Sequence, residues 1–250
     1  MRYAVLSDVH GNLEALEAVL QDCGKIGIDR ILFLGDVVGY GADPQACLER
    51  LTRTAGTMIM GNHDMACATG SGIETMNQNA ARAVLWTREI LDSEGMEFLR
   101  SLPMDHYEDD MYLVHGSPYQ PNDWHYILTE QDAELGFVSS RSPIVFVGHT
   151  HKPVNCIEVK CKRIFGGEVR RIEMNNNAEL RFENDRRYII NVGSVGQPRD
   201  RDPRAAYGLY DSESRIFLIR KVTYDWDKAS GKILGNGLPG FLADRLKDGI

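Results

Sequence analysis

The sequence predicts an α/β fold, a four-layer α/β/β/α sandwich in which two mixed β-sheets are flanked by helices. Three observations support this prediction. Short apolar runs alternate with helical patterns in the first half of the chain, shorter alternating runs follow residue 151, and no linker or internal repeat separates the halves. We therefore expect a single domain spanning residues 1–250, with residues 225–250 as a C-terminal tail.

The first half carries five apolar runs of strand length, each followed by glycine or polar residues. They are residues 3–7, 31–34, 57–60, 112–115 and 144–147. Between the first three runs, residues 13–20 keep an apolar spacing of three to four, and residues 44–51 follow Asp43 as a candidate N-cap. Residues 73–102 also have a helical pattern. Strands and helices in alternation are typical of an α/β sheet.

The second half carries six shorter runs whose alternating apolar residues predict antiparallel strands and hairpins. They are residues 154–159, 169–174, 179–182, 188–192, 207–210 and 216–222. The three asparagines at 175–177 predict a turn. We expect this half to complete the second sheet. The glycine-rich tail is expected to be a loop followed by a short docked helix.

Composition excludes several classes of protein. The 250 residues are 43% hydrophobic, enough for one well-filled core, and the formal net charge is −8. A chain this acidic lacks the broad basic face that general nucleic-acid binding or an anionic membrane requires. No apolar run reaches the roughly 20 residues of a membrane span, so we expect a cytoplasmic protein. Five scattered cysteines without a Cys-x-x-Cys pair argue against disulfides and thiolate zinc sites.

Five polar fragments stand at the ends of the apolar runs and contain five of the seven histidines. The fragments are Asp8-Val-His10-Gly-Asn12, Gly35-Asp36, Gly61-Asn62-His63-Asp64, His115-Gly116 and Gly148-His149-Thr-His151. Because the carboxyl ends of neighbouring strands converge in α/β sheets, we expect these side chains to meet. A lone histidine or an isolated Gly-Asn-His-Asp is usually a surface residue or a turn, but five fragments together favour a shared site.

Two histidines lie outside these fragments. His106 is expected in an exposed loop, and His125 either lines the cleft or is exposed.

The residue types in the fragments favour a transition-metal site. Aspartate, histidine and asparagine without thiolate suit Mn, Fe, Co, Ni or Zn rather than Ca. Asp8 and His10 are two residues apart, as are His149 and His151, so each pair can point to one side of an extended segment. Two divalent ions would bring about four positive charges and two aspartates would return about two, which favours an anionic substrate. No P-loop sequence is present to bind a nucleoside triphosphate.

Taken in order, the fragments resemble the motif of the calcineurin-like metallophosphoesterase family, which is Asp-x-His, Gly-Asp, Gly-Asn-His-Asp/Glu, His and Gly-His-x-His. The resemblance covers roughly residues 3–210. It implies a hydrolase of phosphate esters, a phosphodiesterase or phosphatase, in which a hydroxide bridging two metal ions attacks the phosphorus. Manganese is the expected metal, with iron, zinc, nickel and cobalt as alternatives.

The resemblance also assigns roles to individual residues. It implies that one ion is bound by Asp8, His10, Asp36 and His151, and the other by Asp36, Asn62, His115 and His149. Asp36 would then be shared, and Asn62 would also contact the substrate. It further implies that His63 acts beside the metals, oriented by Asp64, and we expect His63 to be the general acid.

One difference from the protein phosphatases of the superfamily narrows the expected activity. The Ser/Thr protein phosphatases of this superfamily carry a phosphate-binding arginine after Gly-Asp, and residues 35–41 contain none. This argues against protein-phosphatase activity. Residues 10–16, 39–44 and 191–199 instead resemble the small prokaryotic phosphodiesterases.

Arg199 and Arg204 are the candidates for a phosphate clamp, because guanidinium donors match phosphate oxygens in pairs. The alternative is a solvated loop in which Asp200 and Asp202 neutralise both arginines.

Three functions stay open at this stage. The leading one is hydrolysis of phosphate esters of small molecules or nucleotides. The second is hydrolysis of dinucleoside polyphosphates, which needs aromatic platforms; the candidates are Tyr40, Tyr119, Trp124 and Tyr126. The third is a non-catalytic scaffold, against which the intact His63 and the complete ligand set argue. The sequence makes no prediction about the natural substrate or the oligomeric state.

Overall fold

The computed structural model describes residues 1–159, 168–174 and 177–250, and within them twelve strands form two mixed six-stranded sheets that pack face to face. The strands are β1 (Arg2–Leu6), β2 (Arg30–Phe33), β3 (Thr57–Met58), β4 (Asp105–Glu108), β5 (Met111–Val114), β6 (Ile144–Val147), β7 (Val154–Val159), β8 (Glu168–Glu173), β9 (Glu179–Arg181), β10 (Arg186–Asn191), β11 (Ala205–Asp211) and β12 (Ile216–Val222). The helices are α1 (Leu13–Ile26), α2 (Pro44–Thr54), α3 (Asn62–Thr69), α4 (Gln78–Ile90), α5 (Ser93–Ser101), α6 (Glu130–Ser139), α7 (Trp226–Gly235) and α8 (Gly240–Asp244). The predicted α/β sandwich is confirmed.

Both sheets contain three adjacent parallel strands, which lie at one side of the first sheet and in the middle of the second. The first sheet has the order β3-β2-β1-β11-β12-β9, with β1, β2 and β3 parallel. The second has the order β4-β5-β6-β10-β7-β8, with β5, β6 and β10 parallel. The carboxyl ends of β1 and β6 meet, because the His149 backbone N–H donates to Asp8 Oδ2 at 3.0 Å.

Three apolar clusters hold the layers together. Side chains from both sheets fill the space between them, including Val5 and Leu34 from the first sheet and Phe146 and Ile190 from the second. A second cluster packs α1, α2 and α3 on the first sheet, and a third packs α6 on the second. Burying one such side chain stabilises the fold by about 1.5–3 kcal/mol. The clusters therefore fix the strand ends from which the polar fragments project.

The second half completes the second sheet as expected, but it also extends the first sheet. Only β7, β8 and β10 join the second sheet, whereas β9, β11 and β12 extend the first sheet beyond β1. The alternating pattern predicted the strands themselves to within two or three residues at their ends. It could not assign their partners, because the same alternation fits either sheet.

The helical pattern over residues 73–102 is confirmed, and it forms a 3₁₀ turn, α4 and α5. These are separate because Asn77 and Asp92 act as N-caps and accept from the backbone N–H groups of Ala80 and Gly95. The tail forms α7 where a loop was expected, and then the predicted docked helix, α8. The turn predicted at 175–177 lies outside the described residues except for Asn177.

Four cysteines, Cys23, Cys47, Cys67 and Cys156, are buried as expected, and Cys161 lies outside the described residues. Within the described part of the chain, no helix combines the length and apolar character needed to cross a membrane.

Candidate metal centre

All the polar fragments lie at one end of the sandwich. Asp8 and His10 follow β1, Asp36 follows β2, Asn62 begins α3 after β3, His115 follows β5, and His149 and His151 follow β6. Backbone hydrogen bonds tie the loops to one another, from Asp8 N to Gly35 O and from His10 N to Asp36 O, each at 3.0 Å. The convergence follows from the parallel strands on which the fragments stand.

Five of the seven predicted ligands have a left-handed backbone. Their φ angles are 55° at Asp8, 50° at His10, 60° at Asp36, 65° at His149 and 60° at His151. Such a conformation costs about 1–3 kcal/mol for a residue other than glycine, and it persists only where the surroundings impose it. Strain concentrated at one end of the fold indicates that these loops are shaped to present side chains.

Two glycines allow the carboxylates to be enclosed. A Cβ at Gly61 would lie 2.1 Å from Asp36 Oδ1, and a Cβ at Gly148 would lie 1.9 Å from Ser7 Oγ and 2.5 Å from Asp8 Oδ2. Any larger residue would displace the aspartates. The glycines of the Gly-Asn-His-Asp and Gly-His-x-His fragments are therefore required by close packing.

The predicted ligands form two adjoining groups, each within 4.8 Å, and a third group of His10, Asp36 and His63 overlaps both. The first is Asp8, His10 and His151, and the second is Asp36, His115 and His149. His10 Nε2 joins the two groups, since it lies 3.6 Å from Asp8 Oδ1 and 3.6 Å from Asp36 Oδ2. Asp36 Oδ2 is also 3.3 Å from His115 Nε2. Both carboxylates are at most 1% exposed.

Three of the histidine rings are held from behind by backbone carbonyls. The Nδ1 atoms of His10, His115 and His151 lie 2.9, 2.8 and 2.6 Å from the carbonyl oxygens of Val38, Leu34 and Gln197, respectively. A ring that donates from Nδ1 leaves the Nε2 lone pair free for a cation. Carbonyl contacts of this kind orient the ligands of metal sites.

Several buried polar atoms in the centre have no hydrogen-bond partner among the described residues. They include Asp8 Oδ1, Asn62 Oδ1 and His115 Nε2. Leaving such atoms unpaired costs about 1–3 kcal/mol each. Cations coordinated by these atoms would satisfy them, so the residues present fit a divalent metal ion.

The charges of the centre are strongly coupled. Burial opposes ionisation of Asp36, but neighbouring His115 and His63 hold its pKa well below the usual range. Burial also disfavours protonation of His115, but the Asp36 carboxylate raises its pKa to about 9. Burial lowers the pKa values of His149 and His151 to about 3. The aspartates are thus ionised at neutral pH and supply the negative charge that a cation requires.

His63 borders the cleft, but Asp64 does not orient its ring. No hydrogen bond joins the two side chains among the described residues; Asp64 instead accepts from the backbone N–H groups of Asp36 (2.7 Å), Gly61 (3.1 Å) and Val38 (3.2 Å). Asp64 therefore fixes the loop that carries Asp36. Burial lowers the pKa of His63 to about 3, with the Asp36 carboxylate opposing, and Asp64 is not among the main groups that shift it.

The two candidate arginines have different surroundings. Arg199 lies over the Tyr40 ring at 5.8 Å, and its backbone N–H donates to His151 O at 3.2 Å, so it stands beside the centre. Arg204 binds Asp202 through both Nε and Nη2, the latter at 2.6 Å. Asp202 thus neutralises Arg204, as the solvated-loop alternative requires, but it leaves Arg199 beside the metal-facing residues.

A cavity of about 390 Å³ adjoins the centre. It is bordered by Asn62, His63 and His149 on the metal side, and its outer wall includes Met65, Met76, Trp124 and Tyr126. The Tyr126 ring stacks on the His149 ring with centroids 4.1 Å apart. Met65 and Met76 were not predicted as site residues, because isolated methionines in helical patterns usually belong to the core.

Four other residues have no direct part in this site. Tyr119 and His125 stack on each other at 5.4 Å, outside the cavity lining. His106 lies on β4 rather than in a loop, 3.4 Å from Glu108. Burial raises the pKa of the Cys67 thiol to about 12, consistent with a packing role in α3.

Comparisons with known proteins agree with this geometry. Residues 1–215 match the family model of the calcineurin-like phosphoesterase superfamily domain. A metallophosphoesterase from Sphaerobacter thermophilus has a similar crystal structure, with a TM-score of 0.86 and 38% identity over 100% of this chain and 99% of that chain. An uncharacterized protein of Methanocaldococcus jannaschii is 36% identical over 97% of this chain and 96% of its own length. Phosphodiesterase YfcE of Escherichia coli is 25% identical over 85% and 89%, respectively.

The chain therefore belongs to the calcineurin-like phosphoesterase superfamily. It is a phosphoric ester hydrolase whose aspartate and histidine clusters form a candidate metal-binding site.

Proposed function

We propose that this protein hydrolyses phosphate esters of small molecules or nucleotides in the cytoplasm, at a centre of two divalent transition-metal ions. The observation that carries the proposal is the pair of adjoining ligand groups, Asp8–His10–His151 and Asp36–His115–His149, with Asp36 Oδ2 within 3.6 Å of His10 and within 3.3 Å of His115. A carboxylate placed between two groups can serve both. Manganese is our leading candidate, since the ligands are oxygen and nitrogen atoms.

The proposed ligands fall into two sets that follow the two ligand groups. Asp8, His10 and His151 would hold one ion, His115, His149 and Asn62 the other, and Asp36 both. When bound, two such ions supply the positive charge that lowers the pKa of a water molecule and neutralises phosphate oxygens. Asn62 Oδ1 is buried and has no hydrogen-bond partner in the described parts of the chain, so it is available to bind a cation.

His63 is proposed as the proton donor to the leaving oxygen. Its ring borders the cavity, and its backbone N–H donates to Asp36 Oδ1 at 2.8 Å, which fixes it beside the centre. Burial favours the neutral form of the His63 ring by lowering its pKa. An incoming phosphate brings negative charge next to that ring, and this charge raises the pKa of the imidazole toward the protonated form that a general acid needs.

A turnover assay of the metal-loaded protein tests the proposal. The substrates would be p-nitrophenyl phosphate, bis-p-nitrophenyl phosphate, cyclic nucleotides and dinucleoside polyphosphates, each with Mn, Zn, Ni and Co. The Asp36→Asn variant, purified in parallel, measures any contaminating phosphatase. Hydrolysis above that background supports an enzymatic function. No hydrolysis of any ester with any of the metals would favour the non-catalytic scaffold.

Hydrolysis of dinucleoside polyphosphates is a second candidate, favoured by the aromatic wall of the cavity. Trp124 and Tyr126 border the cavity beside His149, where a base could stack. Tyr119 does not reach that wall. Faster hydrolysis of diadenosine tetraphosphate than of bis-p-nitrophenyl phosphate, with the difference lost in Trp124→Ala, would support this candidate over the first.

A further inference from the structure

Two arginines from distant parts of the chain converge on one oxygen beside the metal-facing residues. Arg199 Nη2 and Arg245 Nη1 donate to Gln197 Oε1, at 2.8 and 3.0 Å. Gln197 is 2% exposed, and its own carbonyl oxygen accepts from His151. The guanidinium pair is therefore attached to a buried residue that also orients a proposed metal ligand.

This pair has no side-chain carboxylate partner in the described parts of the chain. Some other arginines do: Arg204 pairs with Asp202, and Arg220 pairs with Asp22. Burial and the neighbouring Arg199 lower the pKa of Arg245 to about 10, because two like charges stand close together. In a chain with 36 acidic residues, two adjacent arginines that share only a neutral amide oxygen form a cationic site suited to an anion.

The C-terminal helices are packed so as to hold Arg245 in this position. Leu242 and Leu246, on either side of Arg245 in sequence, join an apolar cluster with Tyr40. The Tyr40 ring in turn contacts His10 at 4.6 Å and His63 at 4.5 Å between centroids. Arg245 Nε donates to a main-chain oxygen of Ile250, which anchors the guanidinium further.

We propose that Arg199 and Arg245 form a subsite for a second phosphoryl group of the substrate, next to the phosphate that is hydrolysed. This inference rests on the proposed function and deepens it, because it assigns the preferred substrates to phosphate esters that carry two phosphoryl groups. Guanidinium groups donate in pairs and match the oxygens of such a group. The amide oxygen of Gln197 keeps the two arginines in place until the anion arrives.

Calorimetric binding of two probes to the manganese-loaded protein tests the subsite. The probes are methylphosphonate, with one phosphoryl group, and methylenediphosphonate, with two, and the ratio of their Kd values is compared between variants. Any binding of free metal by the probe is common to all variants, so it cancels in the comparison. Arg245→Ala is the test variant, and Lys247→Ala is the control, since it removes an exposed positive charge from the same 3₁₀ turn.

We expect Arg245→Ala to weaken methylenediphosphonate binding about tenfold or more, and methylphosphonate binding far less, as fits the loss of one charge-assisted contact. Lys247→Ala should leave the ratio unchanged. Arg245→Lys, which keeps the charge but not the paired donors, should lie between wild type and Arg245→Ala.

Equal weakening of both probes would make Arg245 a structural support of the centre and overturn the subsite. An unchanged ratio in Arg245→Ala would overturn it as well. If no ester is hydrolysed but the ratio still changes, the proposed function fails while the anion subsite stands. If esters are hydrolysed normally and the ratio does not change, only the subsite fails.

Discussion

The loops that carry the predicted metal ligands, called the metal-facing loops below, differ in structure from the rim of the cleft. The metal-facing side chains Asp8 and His10 are buried and have a left-handed backbone, and the His10 ring is held from behind by a backbone carbonyl. The rim, comprising Trp124, Tyr126, Arg199 and Arg245, is at least partly exposed and comes from loops and from the C-terminal segment. Metal coordination would restrict the residue types in the loops. The rim need only match the shape and charge of the substrate.

The largest effect should come from a change in the metal-facing loops. We expect Asp36→Asn to lose much of its bound metal and nearly all turnover, because the residue between the two ligand groups loses its negative charge. Metal analysis by mass spectrometry and a turnover assay with p-nitrophenyl phosphate would measure both losses.

The matched control is Asp22→Asn, which removes a carboxylate bound to Tyr207 and Arg220 rather than to the centre. It should keep both metal and turnover. Full metal content and full activity in Asp36→Asn would contradict the assignment of Asp36 as a shared ligand.

His63 stands between the two regions, and its replacement should affect chemistry without affecting metal content. We expect His63→Ala to lose about 10² to 10⁴ in the rate of alkyl phosphate hydrolysis, the usual range for general acid catalysis. The loss should be much smaller on p-nitrophenyl esters, because p-nitrophenolate leaves with little proton assistance. Hydrolysis rates on both ester types, together with the metal content of the variant, would test this expectation.

His125→Ala is the control, since this exposed histidine lies outside the cavity lining. Similar losses on both ester types would mean that His63 mainly positions or neutralises the phosphate. A loss of metal would make His63 a ligand instead, as its closeness to His10 and Asp36 allows.

Changes in the rim should alter substrate affinity. We expect Arg199→Ala to lower kcat/KM about tenfold or more with metal content intact, since a charge-assisted hydrogen bond to phosphate is lost. Arg204→Ala should have little effect, because Asp202 already binds that guanidinium. Unchanged kinetics in Arg199→Ala would indicate that the loop is only a solvated charged surface, and equal losses in the two variants would contradict the distinct role of Arg199.

The sequence named the candidate ligands of the metal-facing loops and the rim residues Trp124, Tyr126 and Arg199, but it did not indicate Arg245. Asp8 and His149 each stand in a short fragment, and their glycine neighbours are needed because a Cβ would collide with the enclosed carboxylates. Arg245 carries no such signal, since nothing in its local sequence shows that the tail folds back against Tyr40. The left-handed backbone of the ligands and the partners of Asp64 also required the structure, because both depend on contacts between loops.

The sheet partners of the second half were unpredictable for a related reason. Alternation shows that a strand has one buried face, but β11 and β10 alternate alike and belong to different sheets. Their assignment depends on packing across the whole sandwich, as between Val5 and Phe146, and not on local sequence.

The smallest effect concerns stability alone and should separate the scaffold from both functional regions. Asp22 on α1 accepts from Tyr207 Oη on β11 (2.7 Å) and Arg220 Nε on β12 (2.8 Å), and none of these residues belongs to the metal-facing loops or to the rim. Burial would raise the pKa of Asp22, but these hydrogen bonds hold it below its usual value. A depressed pKa in the folded state adds stability above the unfolded pKa of about 3.9, and this stability is lost as the pH falls through the folded value.

We therefore expect Asp22→Asn to lower the free energy of unfolding by about 1 kcal/mol at pH 7, since the ion pair is only partly shielded from solvent. The difference from wild type should begin to shrink below about pH 4, where Asp22 of the unfolded chain becomes protonated, and should shrink further as the pH falls through the lower folded pKa, where the ion pair with Arg220 is lost. Urea unfolding of both metal-free proteins at pH 7 and at pH 3 would measure this difference in the free energy of unfolding. An equal difference at the two pH values would show that the contact acts through packing or neutral hydrogen bonding rather than charge.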